Sequence, residues 1–367
     1  MCLTHCAKNV ILVHEDNIQM SDQLDFFNAT PEGLAPVCLS AQRRQDNDWT
    51  CADFFCGIGG FHVAARNLGL RVVVACDIDE HAQHAYHENY GLKPLGDIVA
   101  IDPNDVPDFD FLFGGFPCQP FSIIGQRRAF ADPRGVMFFQ LLKFIRAKRP
   151  IGVVLENVKQ LSTIAKGQVL QRILDDISSL GYSVDSKVLN ALHFGLPQKR
   201  ERTIIVASLL PFRTFPWPVK VAARKPLSEI LEANPPDKYF VSERIRRKRR
   251  EAHTAKVTPA IWHENKGGNV SSHEWSCALR AGASHNYLLV DGIRRLTPRE
   301  QLRLQGFPDD FKIVCSDAQT RKQAGNAVPV PMVQAVMERL VDHIETPEIA
   351  WQPFTPQPSI PTWPDSR

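Results

Sequence analysis

Between Trp49 and Leu209, short apolar runs alternate with segments of helical period, and this alternation constrains the fold more than any other feature of the chain. "CADFF" is a short apolar strand, "CGIGG" a turn, and "FHVAARNLG" a helix closed by a glycine. "LRVVVACDID" is a strand ending in acids, "EHAQHAYHENYG" a helix, "FDFLFGG" a strand, and "RGVMFFQLLKFIRAKR" an amphipathic helix. "PIGVVLENV" is a buried strand, "GQVLQRILDDISSLG" a helix, and "YSVDSKVLNA" and "RTIIVAS" are strands. Strands and helices at this spacing predict an α/β domain with a mostly parallel sheet over residues 49–208. The polar motifs then fall just past strand ends, where open α/β sheets bind ligands.

Around Leu209 the alternation stops. Residues 209–292 are proline-rich and irregular, with a basic run, "SERIRRKRREAH", and a polar loop, "WHENKGGNVSSHEW". A smaller, largely irregular or β domain is expected there. "LTPREQLRLQGFP" resumes as a helix with Thr297 as N-cap and Pro298 at the first helical position. With "GNAVPVPMVQAVMERLVDHI" it makes residues 293–345 a helical return to the first domain. Residues 1–48 lack a sustained period and are expected to be loop or disorder, and residues 346–367 form a proline-rich tail.

No stretch approaches the roughly 20 apolar residues that span a membrane, and the first residues turn acidic too soon for a secretory signal. A cytoplasmic protein is expected. The net charge of +3 is permissive of nucleic acid without requiring it. The nine cysteines form no C-x-x-C pair, so neither a disulfide framework nor a metal site is expected. Cys51, Cys56 and Cys76 sit on or beside strand patterns and are expected to be small buried hydrophobes.

Cys118 is different. "GGFPCQPFS" sets it in a Gly/Pro-rich turn just past a strand, with Pro117 stiffening the approach, and the bland alternative is a buried thiol. "DFFCGIGGF" is a glycine turn that permits close approach to a ligand, but it fits neither a dinucleotide loop nor a P-loop. Asp77, at the end of the next strand, suits a ribose diol, whereas Asp79 suits a helix N-cap better; Asp97 follows after another turn. The loop "SIIGQRRAFADPRG" carries Arg127 and Arg128 and suits closure over a substrate, or is simply solvated. Glu156 ends a very apolar strand, where a carboxylate is expensive unless it caps, pairs or reacts. Alternation puts Arg200 and Arg202 on one face, as functional groups or as a sheet-edge charge cluster.

The ordered set "DFFCGIGG", "GGFPCQPFS", "LENV", "PQKRER", "RRLTPRE" and "QAGNAVP" resembles the DNA (cytosine-5)-methyltransferases over about residues 50–345, in the compact form found in prokaryotic restriction–modification systems. The resemblance implies a Rossmann-like domain that uses S-adenosyl-L-methionine, with a small target-recognition domain between "PQKRER" and "RRLTPRE". It implies that Cys118 is the nucleophile toward cytosine C6, and that Glu156 acts at N3, its pKa raised by burial so that it stays protonated. It puts Arg202 near the cytosine O2 with Arg200 beside it, and Gln119 and Ser122 near the base and backbone. Matches for the cofactor fall on Phe55, Gly57, Gly59, Asp77, Ile78, Asp97, Pro117 and Asn326, with Ile78 where some relatives carry an aromatic ring against adenine.

Double-stranded DNA is the implied partner, with a cognate restriction endonuclease as functional counterpart and a monomer as the acting unit. The target base has to be flipped out of the duplex. Arg246, Arg247 and Arg250 are candidates for phosphate contact, on a short helix that Ser242 would cap; the alternative is a solvated helix. Asn269, after Gly267 and Gly268, resembles a loop residue that fills the hole left by the flipped base, or belongs to a plain turn. One rival is a tRNA cytosine-5 methyltransferase on the same scaffold, but its distinctive Cys-Phe-Thr element is missing. Another is a catalytically silent relative, but the catalytic positions are intact.

Overall fold

The computed structural model describes residues 48–117, 136–221 and 223–346. The expected extension and tail, apart from Asp48 and Thr346, lie outside the described residues, as do Cys118, Gln119, Ser122, Arg127 and Arg128.

The chain begins with β1 (Thr50–Phe54), α1 (Gly60–Asn67), β2 (Arg71–Cys76), α2 (Glu80–Tyr90) and β3 (Phe111–Gly114). It continues with α3 (Val136–Lys148), β4 (Gly152–Val158), α4 (Gln168–Ser178) and β5 (Ser183–Asn190). These are followed by the short β6 (Gln198–Lys199) and by β7 (Glu201–Ser208). The six-stranded sheet has the order β2-β1-β3-β4-β7-β5. Pairing is parallel from β2 through β4, while β7 runs antiparallel to both β4 and β5. The reversal has a simple cause. A single 3-10 turn, Ala191–Phe194, and the two residues of β6 are the only elements between β5 and β7, too short a connection for a parallel crossover.

Period-two alternation divides the sheet residues between two cores. Cys51, Phe111, Phe113, Val154, Ile204 and Val206 face one side, packed with Phe61 and Val63 of α1. Ala52, Leu112, Val153, Leu155, Ile205 and Ala207 face the other, packed with Leu141 and Ile145 of α3 and Ile173 of α4. Both faces are covered, which is why the strands read as continuous apolar runs. The order reverses at β1, which has β2 on one side and β3 on the other. The crevice beyond the ends of β1 and β3 is therefore the topological switch point at which ligands bind in such sheets.

The region after Leu209 contains α5 (Leu227–Ile230), α6 (Glu243–Ala252), β8 (Ile261–Glu264), β9 (Val270–His273), β10 (Ser276–Cys277) and β11 (Leu288–Val290). β11, β8 and β9 form an antiparallel sheet. Trp262 and Leu289 on one of its faces pack with Val241 and with Ile245 of α6. β10 pairs with β6, which joins this region to the segment that enters β7. The return consists of α7 (Pro298–Gln305), α8 (Asp317–Asn326) and α9 (Val330–Glu345), whose Val333, Val336, Met337 and Leu340 join the first core.

α7 starts as the sequence predicts. Thr297 and Glu300 form a reciprocal capping box, with Pro298 in the first turn. Glu300, fully buried, is also held by both terminal nitrogens of Arg294, at 2.8 and 2.9 Å. The "RRLTPRE" motif is thus a buried brace that also holds the segment after Leu209, through the Glu232 N–H donated to Glu300. α8 was not anticipated as a helix. Ser242 takes the N-cap position of α6, but its side chain makes no capping bond.

Candidate active site

The turn after β1 carries backbone strain. Phe55 has φ +55°, a conformation that costs a bulky residue energy and concentrates at functional sites. Gly57 follows at φ +54°, with open space where a Cβ would stand, and its N–H donates to Asp77 Oδ2 at 2.8 Å. Asp77 Oδ1 accepts from the Asp79 N–H at 2.9 Å, so one carboxylate ties the first turn to the second. Burial raises the Asp77 pKa, partly offset by those two N–H groups. Asp79 caps α2 as expected, accepting from the N–H groups of His81 and Ala82, and also pairs with Lys322 at 2.6 Å.

Gly59 is held in close packing. A Cβ there would come within 2.3 Å of the Tyr90 ring, whose hydroxyl donates to the carbonyls of Ile58 and Gly59.

At the end of β4, Glu156 is 8% exposed and Arg202 Nε lies 2.6 Å from its Oε1. The contact is an ion pair whose N–H is not aligned as a hydrogen bond, because Oε1 has no hydrogen-bond partner. Glu156 is therefore matched by a cation, the pairing that its place on an apolar strand left open. Asn157 Nδ2 donates to the Phe116 carbonyl at 2.9 Å, fixing the backbone that leads to Pro117.

Arg200 is buried at 1% exposure, and its terminal nitrogens donate to the carbonyls of Leu279, Gly325 and Ala327 at 2.8–3.0 Å. Burial, then Arg202, lowers its pKa to about 9. With those donors spent on backbone, Arg200 is a positioning residue that joins the start of β7 to the Leu279 segment and to the end of α8.

These groups converge on a cavity of about 380 Å³. Phe55, Gly57, Asp77, Pro117, Glu156, Arg200, Arg202 and Asn326 all line it, as the sequence suggests. Gly59, Ile78 and Asp97 do not; Ile78 is 71% exposed, and Asp97 caps a short helical turn through the Val99 N–H. Sequence reasoning missed Lys322 and gave Asp79 only its cap. Their signal was "RKQAGN", where a lysine precedes a recognised motif.

Cys51, Cys56 and Cys76 are buried as predicted, and burial pushes their thiols up, that of Cys76 to about 12. None of these three is an activated nucleophile.

In α6, Arg250 pairs with Glu243 and Arg247 with Glu251, while Arg246 donates to the Val241 carbonyl. Asn269 is exposed in the β8–β9 loop, which Asn265 holds by accepting from the N–H groups of Gly267 and Asn269.

Comparison with known proteins bears on the family and the fold. The family model described as C-5 cytosine-specific DNA methylase matches residues 49–342. The chain is 50% identical over 289 residues to the type II methyltransferase M.NgoBI of Neisseria gonorrhoeae, covering 77% of this chain and 90% of that protein. It is 46% identical over 300 residues to M.HaeII of Haemophilus aegyptius, covering 81% and 94%. Among solved structures, the Entamoeba histolytica methyltransferase EhMeth superposes with a TM-score of 0.65 at 18% identity, covering 81% of this chain and 99% of that one, and supports the fold. The fold, the convergent strand ends and the family match over nearly the whole described chain lead to one conclusion: this chain belongs to the C-5 cytosine-specific DNA methylase family.

Proposed function

We propose that the chain flips a cytosine out of duplex DNA and methylates its C5, using S-adenosyl-L-methionine and Cys118. The observation that carries this reading is a single cavity with two chemically distinct ends. Phe55, Gly57, Asp77, Asp79 and Asn326 line it together with the Glu156–Arg202 pair. The first group fits S-adenosylmethionine: carboxylates suit its ribose diol and its cationic groups, the Phe55 ring offers an apolar face, and Gly57 leaves open space. Bound there, the cofactor supplies an electrophilic methyl group.

The protein's own groups do the rest. Cytosine C5 is too weak a nucleophile unaided. The Cys118 thiolate adds to C6, which makes C5 enamine-like. C5 takes the methyl group as the sulfonium carbon–sulfur bond breaks to leave a neutral thioether. C5 then gives its proton to solvent, and the C–H electron pair re-forms the C5–C6 double bond and expels the thiolate. Negative charge builds on the ring during addition, so Glu156 acts at N3 and Arg202 at O2. Arg200 holds the wall behind them, and Gln119 and Ser122 act near the base and backbone. Asn157 fixes the backbone that leads into the nucleophile's turn.

Two type II relatives at 46–50% identity favour a modification role, protecting a short DNA site against a cognate restriction endonuclease. We take the acting unit to be a cytoplasmic monomer; among the described residues no helix is long and apolar enough to cross a membrane. Recognition falls to residues 209–292, with catalysis in 49–208 and the return over 293–345. Transfer of a labelled methyl group from S-adenosylmethionine tests the reading. Label is expected in duplex DNA; label in tRNA alone, or in neither, would overturn it.

A further inference from the structure

Two exposed cations near Arg200 and Arg202 rest on aromatic rings instead of on acids. Lys199 immediately precedes Arg200, and its ammonium lies 5.7 Å from the centroid of the Trp275 ring. The Arg280 guanidinium carbon lies 4.7 Å from the centroid of the Tyr287 ring, and the Tyr287 hydroxyl accepts from the Arg280 N–H at 2.9 Å. Among the described residues, neither cation forms an ion pair with a carboxylate. The nearest acids in sequence are committed elsewhere: Glu201 to Lys159, Glu274 to Arg224, and Glu264 to Lys248 and Arg249. A cation on a ring face keeps its full charge and its outward N–H donors.

The two cations belong to one surface. Lys199 stands opposite Cys277 in the β6–β10 ladder, and Arg280 follows three residues later. The Cys277 thiol, raised by burial, is drawn down by both. His273 stacks on the Trp275 ring at 4.1 Å, and His263 lies edge-on to Tyr287. Burial lowers both imidazoles, with Lys199 acting further on His273 and Arg280 on His263. This surface also adjoins the catalytic cavity. Leu279, next to Arg280, gives its carbonyl to Arg200 and takes Gln198 Oε1 on its N–H. Gly325 lines the cavity, and a Cβ there would lie 2.4 Å from Ala281 N and 2.8 Å from the Arg280 carbonyl carbon. The backbone of Arg280 is therefore one layer behind the cavity wall.

We propose that Lys199 and Arg280 form a phosphate clamp at the rim of the catalytic cavity, holding the DNA backbone beside the target nucleotide. The clamp rests on the DNA-methylation reading. The α6 arginines suit this role less well, because Arg247 and Arg250 already hold acids that a phosphate would have to displace.

The test is equilibrium DNA binding against salt concentration for Lys199→Gln/Arg280→Gln and for each single variant, on a substrate duplex and a scrambled one, with cofactor titration to show that each variant is folded. Each lost phosphate contact flattens the slope of log K against log salt by about 0.9, so the double variant should lose about 1.8 on both duplexes. An unchanged slope, with normal methylation by the unaltered protein, would overturn the clamp alone. A loss confined to one base position would make these residues base readers and also overturn it. Failure of the unaltered protein to bind or methylate DNA would overturn both the clamp and the methylation reading.

Discussion

Glu156 and Arg202 meet diagonally across two antiparallel strands: Val158 stands opposite Arg202, Glu156 stands opposite Ile204, and the side chains close to 2.6 Å. The pairing register of β4 with β7 sets this contact, and both residues reach the same cavity. Substrate that enters the cavity meets a carboxylate and a guanidinium already oriented by each other. Glu156→Gln keeps the shape and removes the ionisable carboxyl group that pairs with Arg202. It should lower kcat by about 10²–10⁴-fold, the usual range for a lost general acid, with little change in cofactor affinity. Steady-state kinetics with paired DNA checks the split; an unchanged kcat would remove Glu156 from the chemistry.

Asp77 should fail differently. Its carboxylate holds the Gly57 and Asp79 N–H groups and lines the cavity. Asp77→Ala should weaken S-adenosylmethionine binding by about 1–3 kcal/mol, the usual cost of lost hydrogen bonds to a charged group. Isothermal titration measures it directly, and unchanged affinity would contradict the assignment.

The Arg294–Glu300 pair is a stability element. Both side chains are buried, at 7% and 0% exposure, and Glu300 also accepts from the Glu232 N–H and closes the α7 capping box. Glu300→Ala leaves Arg294 charged and buried, which typically costs about 3–5 kcal/mol. Denaturant unfolding should register the loss; a change under about 1 kcal/mol would mean that the pair is replaceable.

His62 gives a pH signature. Burial, then Arg66, lowers its pKa to about 4, and its ring stacks on Tyr90 with Nδ1 2.7 Å from the Tyr86 hydroxyl. A base with a depressed folded pKa stabilises the fold fully above its unfolded value, near 6.5, and loses that contribution as pH falls toward 4. The shift corresponds to at most about 3 kcal/mol. His62→Phe should therefore lose less stability than the unaltered protein between those pH values. Parallel pH curves would contradict the assignment.

Much of the fold is legible because covered sheets write apolar runs and helix ends write caps. Thr297, Pro298 and Asp79 are found by those rules, and the cavity-lining motifs lie at strand ends where the alternation puts them. α8 escaped notice because "DAQTRKQAGN" has no apolar stripe. It buries Thr320, Gln323, Ala324 and Gly325, a set of polar and small residues that signals nothing by period. That Glu156 could pair was legible, but its partner, Arg202, was not, because the contact depends on strand register. The role of Arg200 was illegible because its partners are carbonyls some 80 and 125 residues away. The basic run in α6 attracts the eye, yet the sequence gives no sign that its charges are largely paired, or that Lys199 and Arg280 rest on rings.

The central claim is covalent catalysis by Cys118, and a duplex with 5-fluorocytosine at the target position tests it most directly. Fluorine cannot leave as a proton does, so once the thiolate has added and the methyl group has moved, the adduct cannot resolve. With S-adenosylmethionine present, the unaltered protein should form a protein–DNA species that survives denaturing electrophoresis, and Cys118→Ala should form none while still binding cofactor. A denaturation-resistant adduct with Cys118→Ala, or full methyl transfer by that variant, would contradict the mechanism.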